Sequence, residues 1–166
     1  MKQLYFGGGK TDFGGRKQDD ESGDGHSDDV TALCMSFSRK MVASGQNGQK
    51  PIVFMWDALT AKVIGQKRLP KGCRLVTAIG ISATDKYICA CDAAEKITCH
   101  IFAVAGGKAA IATVAINMKV VHLAWSPVTE ELFGTAGKDH VTMCTLGADK
   151  TVKMVKGKAG AGKIES

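Results

Sequence analysis

Four residues near the middle of the chain are of the types that bind metal ions. Cys89, Cys91, Cys99 and His100 offer three thiols and one imidazole in a short stretch, and zinc prefers such donors in a tetrahedral arrangement. Successive side chains of a β-strand point to opposite faces, so Cys99 and His100 are expected to face apart. The sequence therefore predicts no metal site, and we interpret the cysteines as small buried apolar residues.

A second candidate for chemistry is the stretch from Gly157 to Lys163, which has the spacing of a phosphate-binding loop. The residue after the lysine is Ile164, so the hydroxyl that would bind Mg²⁺ is absent. No helical pattern follows whose N-terminus could hold a phosphate. No spaced Ser/His/Asp set or pair of carboxylates stands out elsewhere. We therefore expect neither catalysis nor a bound cofactor.

These residues belong to a pattern of short strands that occurs three times. The pattern recurs at intervals of 46 residues (from 30 to 76) and 44 residues (from 76 to 120). It predicts first strands at Val30–Met35, Val76–Ile81 and Val120–Trp125. Four strands every 40–45 residues or so are typical of a β-propeller blade. The sequence predicts an all-β protein with about three four-stranded blades, at 26–69, 70–116 and 117–156, between a Gly/Asp-rich leader (1–25) and a basic flexible tail (157–166).

The predicted first strands carry apolar residues on both faces, which we expect to be buried between neighbouring sheets. Leu33 and Met35 would lie on one side, with Val30, Ala32 and Cys34 on the other. Three blades cannot close a propeller ring of four to eight. We therefore expect an incomplete ring, completed by further blades from the same protein or from another subunit.

One network of side chains is predicted for the first blade. Gly25-His26 is followed, after several short strands, by Trp56-Asp57, which is the signature of a WD-repeat blade. In such blades the imidazole, a Ser or Thr and the indole form a chain of hydrogen bonds. The candidates are His26, Ser44 and Trp56. The Asp that usually precedes the third strand is missing, and the turn from Gln46 to Pro51 replaces it.

Charge is distributed unevenly along the chain, which carries a net charge of +6. Asp19–Asp24 is acidic, whereas the C-terminal region is rich in lysine. The residues that we regard as possible partner contacts are Asp28, Asp29, Lys150, Lys153, Lys156, Lys158 and Lys163. The alternative is that these residues are simply exposed to solvent in loops and in a tail. The more specific interpretation of the lysines is contact with an acidic partner.

Other classes of partner are disfavoured by composition. No apolar run of about 18 residues is present, so we expect no membrane partner. No cluster of arginines and aromatic residues is available for base stacking, which argues against nucleic acid. The cysteines show no paired framework, which predicts a reduced intracellular protein.

Several motifs resemble those of the echinoderm microtubule-associated-protein-like (EMAP-like) family. They are Gly25-His26-Ser27-Asp28-Asp29-Val30, Ala43-Ser44-Gly45-Gln46, Pro51 to Asp57, and Gly137-Lys138-Asp139-His140 with Thr145-Leu146. The resemblance covers roughly residues 25–146. Members of this family carry tandem propellers and bind microtubules, and related WD-repeat proteins line ciliary and flagellar doublet microtubules.

The resemblance implies a non-catalytic WD-repeat scaffold that binds microtubules as a structural component of the ciliary or flagellar axoneme doublet. Its expected partners are tubulin and neighbouring axonemal proteins, in the cytoplasm and cytoskeleton. The alternative is a WD-repeat adaptor in an unrelated intracellular complex, for signalling or RNA processing. Subcellular location separates the two hypotheses.

Overall fold

The computed structural model describes residues 25–138 and 140–157, and these residues form β-strands without any helix. The strands are β1 Val30–Met35, β2 Met41–Gln46, β3 Ile52–Asp57, β4 Val63–Arg68, β5 Val76–Ile81, β6 Tyr87–Asp92, β7 Thr98–Ala103, β8 Ala112–Ala115, β9 Val120–Trp125, β10 Leu132–Gly137, β11 His140–Leu146 and β12 Val152–Lys156. The predicted all-β class is confirmed, and β1, β5 and β9 have the predicted bounds.

Some predictions concern residues outside the described part of the chain. These are the leader up to residue 24 with the acidic stretch Asp19–Asp24, the tail beyond residue 157 with Lys158 and Lys163, and Asp139. Within the described part, no helix is long and apolar enough to span a bilayer.

The strands form three antiparallel four-stranded sheets, each a meander in chain order. We call them blade one (β1–β4), blade two (β5–β8) and blade three (β9–β12). Each first strand meets its second strand with a register shift after its first residue, between Val30 and Ala32, Val76 and Ala78, and Val120 and His122. Such bulges increase local twist, so the repeated shift gives all three blades the same bend at the same position.

Blade two lies between the other two blades and is covered on both faces. One core joins blade one to blade two, and a second core joins blade two to blade three. The first contains Val53, Met55, Val76, Ile79 and Phe102; the second contains Cys89, Ile101, Leu123, Phe133 and Cys144. Burial of these opposed faces is the main apolar stabilisation available to the fold.

Burial of the first strand on both faces holds for β5 but not for β1 or β9. Leu33 and Met35 in β1 are 57% and 55% exposed, and Val121 in β9 is 58% exposed. This exposure is what an incomplete ring predicts, because each end sheet leaves one apolar face open. The reason is their position in the end sheets, each of which has one neighbouring blade in the described part of the chain.

A buried lysine ties blade one to blade two. Lys67 in β4 is 1% exposed, and its Nζ donates hydrogen bonds to the carbonyls of Val104, Gly106 and Gly107 at 3.0–3.1 Å. Burial lowers the pKa of this ammonium group. Three carbonyl acceptors compensate for the water that the group loses.

A carboxylate ties blade two to blade three in a similar way. Glu130 accepts hydrogen bonds from the Ser82 hydroxyl, from the backbone N–H of Thr84 at 3.0 Å and from its Oγ1 at 2.8 Å. Burial acts to raise the pKa of Glu130, but these hydrogen bonds outweigh it and hold the pKa below its usual value.

The open apolar face of blade three should make the isolated chain self-associate. Val121, Val141, Met143 and Val155 are all exposed on its strands, and patches of this kind favour association. We expect light scattering of residues 1–166 to give a mass above that of one chain. Replacing both Val141 and Met143 by Thr should lower that mass.

The matched control is Val128→Thr, because Val128 is 87% exposed but lies in a turn away from the sheet. A monodisperse wild-type monomer would contradict the prediction.

Candidate functional site

The predicted network residues of blade one are joined by hydrogen bonds. Trp56 Nε1 donates to Ser44 Oγ at 2.6 Å, and Ser44 Oγ lies 2.6 Å from Nε2 of His26. Trp56 and Ser44 are buried in β3 and β2, while His26 precedes β1. The network therefore ties the chain ahead of the first strand to the two central strands of the sheet.

Gln46 supplies a fourth member that sequence reasoning did not identify. Its Oε1 lies 2.8 Å from Nδ1 of His26, and its Nε2 donates to Ser27 Oγ at 3.3 Å. Nδ1–H can therefore donate to Gln46 while Nε2 accepts from Ser44. Burial lowers the pKa of His26, and the Gln46 hydrogen bond opposes this in part. The neutral imidazole is the form that completes the chain of hydrogen bonds.

Blade two has different residues at the equivalent positions. Ala90 pairs with Ile79 as Ser44 pairs with Leu33, so the hydroxyl is lost. Phe102 occupies the position of Trp56, so the indole is also lost. The hydrogen-bonded network of blade one therefore cannot form here.

Three other side chains meet near that position in blade two, and we call them the Cys73–Asp92–His100 cluster. His100 Nε2 lies 2.7 Å from Asp92 Oδ2, and Cys73 Sγ donates to the same oxygen at 3.1 Å. Cys73 Sγ is 3.7 Å from His100 Nε2. All three residues are buried, and they line a cavity of about 450 Å³.

The repeat explains where the cluster lies. Asp92 pairs with Val76 as Gln46 pairs with Val30, so Asp92 takes the place of the glutamine. Gly72-Cys73 precedes β5 much as Gly25-His26 precedes β1. The sequence therefore contained a signal for this cluster, because superposing the repeats places Cys73 on His26.

The cluster lacks the geometry of a nucleophilic triad. In such a triad the imidazole faces the nucleophile with one nitrogen and the carboxylate with the other. Here Asp92 and Cys73 both approach Nε2 of His100. Burial, then the hydrogen bond and charge of Asp92, raise the pKa of Cys73 to about 12. The thiol is therefore neutral near pH 7 and is not an activated nucleophile.

The four residues considered as metal ligands from the sequence, Cys89, Cys91, Cys99 and His100, lie on two different faces of blade two. His100 faces the core shared with blade one, whereas Cys99 faces blade three with Cys89 and Cys91. The sulfur atoms of these three cysteines lie within 4.8 Å of one another, and all three residues are 0% exposed. Hydrogen bonds with Cys89 and Cys99 lower the pKa of Cys91, while burial raises that of Cys89. Strand alternation separated Cys99 from His100 but did not reveal this cross-strand thiol cluster.

Blade three has lost the network as well. Thr135 pairs with Leu123 as Ser44 pairs with Leu33, and Cys144 stands at the position of Trp56. Within the described residues, the buried Oγ1 of Thr135 makes no hydrogen bond. Thr135 therefore keeps a hydroxyl at the position of Ser44, but blade three lacks the indole and the imidazole that bind Ser44 in blade one.

The two aspartates proposed as partner contacts shape the loop before β1. Asp28 Oδ1 accepts a hydrogen bond from the backbone N–H of Asp29 at 2.8 Å, and the Asp29 carbonyl accepts from Asn47 N at 2.9 Å. Asp28 is half-buried, whereas Asp29 is exposed. Asp28 therefore has an observed role in the turn, and a partner contact of either residue stays a prediction.

The described lysines of the proposed contact set are exposed on blade three. Lys150 lies in the turn before β12, and Lys153 and Lys156 lie on that strand. Among the described residues, none of the three is paired with a carboxylate. We call them the β12 lysines.

Removing the central hydroxyl of the network should destabilise the protein. Ser44→Ala leaves Trp56 Nε1 without this acceptor and His26 without this donor, so we expect a loss of about 1–3 kcal/mol. Trp56→Ala should cost roughly 3–5 kcal/mol, because a large buried side chain is deleted. Denaturant unfolding measures both changes. Thr113→Ala, at an exposed position of β8, should stay within about 0.5 kcal/mol.

The network should also make stability depend on pH. The pKa of His26 is lower in the folded chain than its ordinary value of 6.5, so the unfolded chain takes up its proton first as pH falls. The stability that the neutral His26 imidazole contributes is complete above the pKa of the unfolded state. It is lost as pH decreases from there towards the pKa of the folded state. Unfolding measured between about pH 8 and 5 should show the loss.

His26→Gln should weaken that pH dependence, whereas His122→Gln, at an exposed position of β9, should leave it unchanged. Equal slopes for the wild type and His26→Gln would contradict the prediction.

Comparison with known proteins gives a sequence relative that matches most of this chain. The chain is 37% identical over 154 residues to the ciliary WD repeat-containing protein ctxp80 of Euplotoides octocarinatus. The match covers 91% of this chain but only 21% of the relative. No family model matches the sequence.

Solved structures share the fold. The β-propeller domain of Cps50 (Swd1) from Myceliophteria thermophila is similar with a TM-score of 0.63 and 15% identity, over 79% of this chain and 40% of that one. The WD40 repeats of RRP9 give a TM-score of 0.64 and 17% identity, over 80% and 40%. Together with the three antiparallel blades and the network of blade one, these similarities show that the chain has the fold of an incomplete WD40 β-propeller and is similar to WD-repeat proteins.

Proposed function

We propose that the chain is part of a non-catalytic scaffold that binds microtubules in the axoneme of cilia or flagella. The observation that carries this proposal is the 37% identity over 154 residues to a ciliary WD repeat-containing protein. The chain spans about a fifth of that relative, so the activity of a whole protein is part of the proposal. The resemblance of the first blade to the EMAP-like family supports the microtubule as the partner.

The shape and charge of blade three fit this role. Propellers present loops and strand edges on a rigid frame, which suits docking. The β12 lysines lie at the outer edge of blade three, and the tubulin surface is acidic. Attraction between the two would be screened by salt, because exposed charges interact weakly beyond about 8–10 Å at physiological ionic strength.

The two open faces fit a scaffold with further blades. The outward face of blade three exposes Val141 and Met143, and blade one exposes Leu33 and Met35. In the proposed assembly, additional blades from the same protein or from a neighbouring axonemal subunit cover these faces. Tubulin then contacts the rim of the propeller, where loops and edge strands are exposed.

Co-sedimentation with polymerised tubulin tests the proposal. We expect the protein to pellet with microtubules at low salt and to be released as salt increases. The triple variant Lys150→Gln/Lys153→Gln/Lys156→Gln should pellet less. The triple variant Lys40→Gln/Lys108→Gln/Lys119→Gln removes the same charge from other exposed positions and should pellet like the wild type.

Two outcomes would count against the proposal. No pelleting of the complete protein at low salt would reject direct binding to microtubules. A tagged protein that is nuclear or diffuse in ciliated cells would reject the axonemal location and favour an adaptor in another complex.

A further inference from the structure

The Cys73–Asp92–His100 cluster brings one thiol, one carboxylate and one imidazole to a common point. Their donor atoms all lie within 4.8 Å of one another, and all three residues are buried. These are the donor types that bind divalent transition metals, zinc in particular. We propose that this cluster binds a zinc ion, at a site that is independent of the proposed contact with microtubules.

The distances between donor atoms are close to those that zinc requires. A tetrahedral zinc holds sulfur, nitrogen and oxygen ligands about 3.4–3.6 Å apart, given its usual bond lengths. Cys73 Sγ and His100 Nε2 are 3.7 Å apart, and Cys73 Sγ and Asp92 Oδ2 are 3.1 Å apart. Zinc binding would lengthen the contact between His100 and Asp92 from 2.7 Å by about 0.7 Å and the contact between Cys73 and Asp92 from 3.1 Å by about 0.5 Å.

Asp92 is oriented for ligation by its other oxygen. Oδ1 accepts hydrogen bonds from the backbone N–H groups of Ala94 at 3.2 Å and Thr98 at 3.0 Å. This fixes the carboxylate and directs Oδ2 towards Cys73 and His100. Such support of a ligand by surrounding hydrogen bonds is usual in metal sites.

The site also has an access route and an open coordination position. The open cavity of about 450 Å³ is lined by all three residues and lies between the turn that contains Cys73 and the loop from β6 to β7. Its rim carries Lys71, Glu95 and Lys96. Three protein ligands leave a fourth position that water from the cavity can fill, as in zinc sites with three protein ligands.

Cobalt binding tests the proposal, since Co²⁺ reports its ligands through its absorption spectrum. The 166-residue chain, stripped of metal with a chelator, is titrated with Co²⁺ and then with Zn²⁺. We expect one Co²⁺ per chain, with a thiolate-to-cobalt charge-transfer band and tetrahedral ligand-field bands, both abolished by zinc. The measurement does not require the chain to be monomeric.

Variants assign the ligands. Cys73→Ser, Asp92→Asn and His100→Gln should each weaken binding by more than the roughly 10–100-fold loss that changes beyond the ligand shell cause. Circular dichroism checks that each variant keeps its strands. Cys34→Ser is the control for a thiol outside both clusters, and Cys91→Ala is the control for the thiol cluster; both should bind metal like the wild type.

X-ray absorption at the zinc edge of the wild-type chain reads the ligand set even if a variant fails to fold. One sulfur with nitrogen and oxygen neighbours supports the proposal. Three sulfurs, or loss of binding in Cys91→Ala but not in Cys73→Ser, would place the ion in the thiol cluster and overturn it. A wild-type chain that binds no Co²⁺ or Zn²⁺ would overturn it as well.

Discussion

The fold depends on the burial of sheet faces between neighbouring blades. A four-stranded sheet with apolar residues on both sides cannot bury either side alone. Blade two solves this by lying between blades one and three, so that Ile79 packs towards one neighbour and Leu123 of the other neighbour packs against its opposite face. The outer faces of the end blades have no such neighbour among the described residues, and their apolar side chains are exposed as a result.

Polar ties make the two seams between blades specific. An apolar face alone would tolerate sliding of one sheet over another. Lys67 prevents this at the first seam, because its buried ammonium group must keep its three carbonyl acceptors on blade two. Glu130 has the same effect at the second seam through Ser82 and Thr84. Loss of the Lys67 contacts would leave a buried ammonium group without its partners, which is unfavourable.

One position of the repeat has acquired three different chemistries. Blade one retains an imidazole, a hydroxyl and an indole in a chain of hydrogen bonds. Blade two replaces the network with the Cys73–Asp92–His100 cluster, and blade three keeps Thr135 with a cysteine at the indole position. Blades two and three bury this face against the preceding blade, so packing can hold their strands without the network. That freedom allows a repeat position to change its chemistry while the fold is preserved.

The sequence by itself determined the features that are local to one blade. The period of the apolar pattern specified the strands and the all-β class, since strand alternation depends on nearest neighbours in the chain. The spacing of His26, Ser44 and Trp56 linked them because they belong to one repeat, and alternation correctly separated Cys99 from His100. Tertiary structure alone decided the rest. Lys67 found its carbonyl acceptors on blade two, and Glu130 met Ser82, because the seams bring together residues that no periodicity relates. Periodicity says which face of a strand a side chain occupies, whereas packing of one sheet on another decides what that face meets.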